Sequence, residues 1–251
     1  MKYILLQLAN LISKIWRLIP TKLRTHLLTG LLILESRGHN SANGLRRLLL
    51  IKKQLEWVIN ERAMAYGKGE HPKHRLTRYH WFFIDRIRDG ERVLDIGCGY
   101  GAVARSIALE RPKSTVIGVD MSELRISEAR LFANPPNLHF ILGDATRDIP
   151  PGPWNVLVLS NVLEHISARI NFLNKLVHST GVARILIRVP LFERDWQIPL
   201  CQELGIGYFS DNDHKIEHKL TEFYDEINLA GLRVIEVMTL WGEIWADCRI
   251  K

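Results

Sequence analysis

The chain has 251 residues and a net charge of +7, from 34 Lys and Arg against 27 Asp and Glu. That length buries one good core and leaves material for an extra lobe, and no internal repeat or low-complexity segment interrupts it. Three cysteines, Cys98, Cys201 and Cys248, show neither metal nor redox spacing, which excludes a zinc-ribbon or thioredoxin-type site and fits a reducing compartment.

The charge is uneven. Residues 1–80 carry 15 Lys and Arg against 4 Asp and Glu, whereas residues 81–251 carry 19 against 23. A basic arm on a mildly acidic domain points to an anionic partner: a membrane surface, a nucleic acid or a phosphorylated substrate. At about 100° per residue, Ile4, Leu8, Leu11, Ile12, Ile15, Trp16 and Ile19 share one helix face. Pro20 closes the segment. Gln7, Asn10, Lys14 and Arg17 interrupt it too often for a membrane span, and no small-residue cleavage site marks a secretory signal. Such a helix can lie in a membrane interface, or its apolar face can pack on the protein itself. Two more helices are expected at Leu23–Glu35 and Leu45–Tyr66, the second with Leu48, Ile51, Leu55, Val58 and Ile59 near one stripe. Ser36–Gly44 reads as a polar loop. His71–His80 holds a proline and three histidines that argue against a helix at its start. It is placed to fold over a ligand as a lid, touching a cofactor carboxylate or a substrate, or else to be a solvated linker.

The core begins with Arg92–Arg105, RVLDIGCGYGAVAR. Val93, Leu94 and Ile96 form a buried strand, Gly97, Gly99 and Gly101 a turn, and Val103, Ile107 and Ala108 an amphipathic helix. Glycine lets the backbone approach a ligand closely, and the N–H groups that open a helix favour an electron-rich partner. Gly99–Ala104 fits G-x-G-x-x-A, which alone admits a nicotinamide enzyme. Asp120 ends the next strand, 19 residues after Gly101, where a carboxylate accepts from ribose hydroxyls; that spacing does not distinguish between nucleotide cofactors. Ser122 is a helix N-cap. Leu138–Leu142 is a strand ending in Gly143-Asp144-Ala145, and Trp154–Ser160 a strand leading to Asn161-Val-Leu-Glu164-His165. Arg184–Val189 is a fifth strand. Pro190–Phe209 is an insertion beyond a strand's carboxyl end, placed for an acceptor pocket. His214 and His218 are spaced to share a helical face, either as metal ligands without a clear third partner or as substrate contacts. Leu220–Ala230 is a helix ended by Gly231, and Leu232–Met238 with Glu243–Ile250 a hairpin-like pair.

The string Asp95-Ile-Gly97-Cys98-Gly99-Tyr-Gly101, joined by Asp120 and Asp144, resembles the glycine motif of class I S-adenosylmethionine-dependent methyltransferases of the small-molecule, type 11-like branch. The resemblance runs from about Gly90 to Val237. It implies an α/β fold: a Rossmann-like, doubly wound, mostly parallel seven-stranded sheet with an N-terminal helical extension. Residues 1–80 are then a basic helical arm and lid, and residues 81–251 the cofactor-binding domain. S-adenosylmethionine is expected on Asp95, Gly97, Cys98, Gly99 and Gly101, with the ribose on Asp120 beside Met121. In this pattern Asp144 meets the adenine amino group, the Ala145 N–H a ring nitrogen, and the backbone near Ser160 the methionyl end. Residues after the fourth strand face the acceptor, so His165 is the candidate general base, or else a structural histidine. His178-Ser-Thr-Gly181 departs from the Leu-x-Pro-Gly-Gly of many members. The implied reaction is in-line methyl transfer, most simply to oxygen, on a small-molecule or glycan- or lipid-linked acceptor. The expected place is the cytoplasm, with residues 1–20 touching a membrane's inner face, and no metal is implied. The basic arm keeps RNA open as an alternative substrate, although the chain shows no Asn-Pro-Pro-Tyr type base-flipping motif, Asn134-Pro-Pro136 lying in another loop. The glycine turn also admits a NAD-binding oxidoreductase and a non-catalytic cofactor-binding protein.

Overall fold

The structure is a computed structural model that describes residue 9, residues 12–37 and residues 40–251. Ile4, Leu8 and Leu11, on which the apolar face of the first segment depends, lie outside the described residues; residues 12–16 are helical. The chain divides into two compact units. One comprises the described residues up to Ala63 together with Glu203–Ile206, and the other Met64–Gln202 with Gly207–Lys251.

In the first unit, α1 (Thr21–Ser36) and α2 (Ser41–Tyr66) form where expected, each starting a few residues early. α1 buries none of its residues, and α2 buries only Gly44 and Leu49. Leu55, Val58 and Ile59 stay exposed.

The second unit is a seven-stranded sheet. β1 (Arg92–Ile96), β2 (Thr115–Asp120), β3 (Leu138–Leu142), β4 (Val156–Ser160) and β5 (Arg184–Pro190) run parallel. β6 (Leu232–Leu240) and β7 (Glu243–Ile250) form an antiparallel hairpin, and β7 also pairs antiparallel with β5. The strand order is β3-β2-β1-β4-β5-β7-β6. Alternate residues of the central strands enter opposite layers, as the two-residue period demands. Leu94, Ile96, Leu157 and Leu159 pack with Leu173 and Leu176 of α7 (Arg169–Thr180) and Phe223 of α9 (Leu220–Leu229). Val93, Val156 and Val158 pack with Phe83 of α4 (Tyr79–Ile84), Ile107 of α5 (Ala102–Glu110) and Ile126 of α6 (Glu123–Leu131). Both faces of the sheet are covered, so its central strands read as unbroken apolar runs.

Strand order reverses between β1 and β4, and in open α/β sheets the crevice at such a switch point is where ligands bind. Several segments around it differ from expectation. Lys73–Thr77 is helical (α3), because a preceding proline opens a helix without losing a bonded N–H. It breaks at Arg78, whose φ is 52°. The insertion after β5 carries a short helix, α8 (Gln197–Glu203). His214 and His218 share no helical face, since residues 211–219 are irregular.

Candidate active site

β1 delivers Asp95 to the floor of a cleft of about 530 Å³, also lined by Gly97, Cys98, Ser160, Asn161 and His165. Asp95 is buried, and its Oδ2 has no hydrogen-bond partner among the described residues. Burial pushes the carboxyl up to about 8 against the pull of the Ala104 N–H, and the charge of Asp120 adds to the rise. An orphaned acceptor of this kind calls for a donor or a cation from a ligand.

The glycine turn explains itself residue by residue. Gly99 has φ +56°, and a Cβ built there meets nothing within 4 Å, so the backbone faces open space. Gly101 has φ +76°, but its Cβ would lie 2.3 Å from Cζ of Phe140 on β3, so this glycine lets the turn pack on the sheet. Asp120 braces the same turn from β2. Its Oδ2 accepts from the Gly99 N–H at 2.9 Å and its Oδ1 from the Ser122 N–H at 2.9 Å. Each oxygen keeps lone-pair capacity for a further donor.

Past β3, Met121, Leu142, Gly143 and Asp144 line a second cavity of about 410 Å³. Asp144 Oδ1 accepts from the Thr146 hydroxyl at 2.6 Å and from the Thr146 N–H at 3.0 Å. The Thr146 hydroxyl bond, helped by Arg147, holds this carboxyl below its usual range. Ala145 is buried beside it.

After β4 the chain turns at Asn161, which has φ 57°, an unusual left-handed position for a non-glycine residue. Its side-chain amide donates to Glu164 Oε1 at 2.7 Å. Glu164 is fully buried, its Oε2 is without a partner among the described residues, and burial pushes its carboxyl up to about 7. His165 Nδ1 lies 2.9 Å from Asp213 Oδ2, and its ring meets His214 edge-on with centroids 4.7 Å apart. Glu164, His165 and His214 offer ligand-type atoms within 4.8 Å of one another. Burial works to lower the pKa of His214, but its contact with Glu217 and the charge of Glu164 outweigh that and raise it. His218 is elsewhere, fully buried with Nε2 3.3 Å from Glu226 Oε1. The shared helical face that the spacing of His214 and His218 allowed therefore does not form.

Sequence reading missed the far wall. Arg188 of β5 donates Nε to Glu243 Oε2 at 2.6 Å and Nη1 to Ser160 Oγ at 3.2 Å, and it lies 3.8 Å from the Tyr79 ring centroid. Lys73 and His74 of α3 also line the cleft. Partial desolvation and the nearby Arg188 lower the pKa of the Lys73 ammonium. No local signal marks Arg188 or Glu243, because they meet only through the β5–β7 pairing.

Residues 93–180 match a family model described as a methyltransferase domain. That stretch, 88 of the 251 residues, is similar to a methyltransferase domain. The domain resembles trans-aconitate 2-methyltransferase of Streptomyces avermitilis at 32% identity over 88 residues, 34% of this chain and 33% of the relative. It also resembles ubiquinone biosynthesis O-methyltransferase of Shewanella pealeana at 34% identity, covering 39% of this chain and 44% of the relative. Ribosomal protein L11 methyltransferase of Thermus thermophilus matches at 32% identity, covering 40% and 39%. Each of these matches spans less than half the length of the curated relative. Among solved structures, magnesium protoporphyrin IX methyltransferase from Synechocystis, with bound SAH, superposes with a TM-score of 0.55 at 17% identity. That match covers 72% of this chain and 84% of the other. At that identity the match establishes the fold alone: Rossmann-like, with the antiparallel hairpin at one edge.

Proposed function

We propose that the protein is an S-adenosylmethionine-dependent methyltransferase acting on a hydroxyl of a small-molecule or glycan- or lipid-linked acceptor. The observation that carries this reading is the buried Asp95 carboxyl on the cleft floor, with one oxygen unpartnered, beside an open glycine turn. It suits a ligand that brings a cationic amine and a sulfonium, and it opposes a ligand that brings a pyrophosphate.

In this reading Asp95 receives the methionyl ammonium and Lys73, with His74, the methionyl carboxylate. Gly97, Cys98 and Gly99 give the backbone close approach, with Gly101 holding the turn. Asp120 accepts from the ribose hydroxyls, Met121 covers the adjoining wall, Asp144 accepts from the adenine amino group and the Ala145 N–H faces a ring nitrogen. Ser160, fixed by Arg188, supports the methionyl end. When bound, the cofactor supplies an electrophilic methyl group on a sulfonium. The chain's own task is alignment, and orientation alone contributes about 7–11 kcal/mol. His165, steadied by Asp213, takes the acceptor's proton. Residues 71–80 act as the lid.

Titration calorimetry with S-adenosylmethionine, its demethylated product and NAD tests the reading. Heat from the first two and none from NAD is the expected result. Binding of NAD alone overturns it.

A further inference from the structure

Methyl transfer leaves α1 and α2 unused, yet they carry the most unusual surface of the described residues. On α1, Leu27, Leu28, Leu31 and Leu34 are between 47% and 69% exposed, and on α2, Leu55 and Ile59 are each 55% exposed. A helix that is apolar around so much of its circumference is ordinarily covered by something. Exposed apolar surface of this kind marks an interaction site.

Charge decides between coverings. Residues 1–63 hold 11 Lys and Arg against 3 Asp and Glu. Basic side chains bracket the apolar run of α1: Lys22 and Arg24 stand at its start and Arg37 beyond its end, while Arg47 of α2 is paired with Glu35. A second copy would bring the same positive charge against itself. A bilayer with acidic headgroups instead takes both halves of the pattern, apolar side chains below the headgroups and basic ones among them. No helix of the described residues is long and apolar enough to cross a membrane, so the contact is with the surface.

We propose that α1 and α2 form an interfacial anchor for anionic lipid. The anchor is distinct from the contact expected of residues 1–20 and does not depend on the methyltransferase reading. Each basic residue at the surface strengthens binding roughly fivefold, so the contact weakens steeply with salt.

The test is flotation of the full chain with vesicles of phosphatidylcholine alone and of phosphatidylcholine mixed equally with phosphatidylglycerol, at low and high salt. The comparison protein carries Leu27→Gln, Leu31→Gln and Leu34→Gln together. None of these side chains is buried, so its unfolding temperature stays that of the parent. The expected result is flotation with the acidic vesicles, loss of it in high salt, and partitioning on the order of 100-fold weaker for the variant. Three results would each overturn the proposal: a parent chain that stays with neither vesicle, equal flotation on neutral and acidic vesicles, or equal flotation of parent and variant. Sedimentation without vesicles adds a fourth, a dimer of the parent that the variant loses, because a second copy would then cover the face.

Discussion

Asp95→Asn should change cofactor binding in a pH-dependent way that no merely structural residue would produce. The Asp95 carboxyl titrates near about 8, well above its ordinary 3.8. Above that pH it is ionised and holds a cationic amine through a charge-assisted bond. Losing that bond costs about 2–3 kcal/mol, or on the order of 100-fold in Kd. At about pH 6 the parent must first ionise the group well below its pKa, at about 3 kcal/mol. That is as much as the bond returns, so parent and variant should bind nearly alike there. Stability has the opposite trend. A carboxyl with a raised folded-state pKa favours the fold when protonated, and this contribution is lost as pH rises through about 8. Without ligand, Asp95→Asn should therefore be at least as stable as the parent in alkaline buffer. Calorimetry across the range, in buffers of different ionisation enthalpy, should also register a proton released on binding below about pH 8. A parent affinity that is flat from acid to alkaline pH, with no proton released, would refute the assignment of Asp95 to a cationic group.

Gly99→Val and Gly101→Val should separate binding from folding. The first places a side chain in open space and should weaken cofactor binding with a modest loss in Tm, whereas the second drives a methyl into Phe140 and should cost about 3 kcal/mol of stability by urea unfolding. Glu164→Gln should stabilise the protein above neutral pH. The raised Glu164 pKa makes its contribution fall as pH climbs through about 7, and thermal melts at acid and alkaline pH should diverge by roughly 3 kcal/mol between parent and variant. His165→Ala should lower kcat on the order of 100-fold while leaving the Kd for cofactor almost unchanged; unaltered turnover would make His165 structural.

The half of the cleft that we propose binds cofactor was legible as local structure because it is built from consecutive strand–turn–helix units. Each unit writes its own functional side chain next to its own glycine or cap, as Gly97–Gly101, Asp120–Ser122 and Gly143–Ala145 do. The acceptor half was not legible, because it is made of pairings between distant segments. Arg188 meets Glu243 across β5 and β7, and Arg194 meets Glu217 across the insertion. The helical face that the His214–His218 spacing allowed is absent for the same reason. Glu217 accepts from Arg194 and from the Ser210 N–H, which holds residues 211–219 out of a helix, and Glu226 draws His218 into the core. Periodicity also marked an apolar stripe on α2 without showing what covers it, because it reports amphipathicity and not what lies opposite.

Three aspartates stand near the ends of successive strands, and the structure distinguishes them by what satisfies each. Asp120 has two backbone N–H donors and braces the turn. Asp144 has the Thr146 hydroxyl and Arg147 and is held ionised. Asp95 alone has a buried oxygen with no partner among the described residues. Removing the Asp120 carboxylate therefore strands two N–H groups and disturbs the fold along with the site, at roughly 1–3 kcal/mol for each group left unpaired. Asp95→Asn keeps an oxygen for the Ala104 N–H and removes only the charge. Of the three, Asp95 is the position where ligand charge decides whether binding is favourable. A dinucleotide would place its pyrophosphate over this turn and meet a carboxyl that repels it when ionised. A methionyl amine would meet the same carboxyl as its counter-ion. The G-x-G-x-x-A string admits both ligands, and the carboxyl beneath it favours the cationic one.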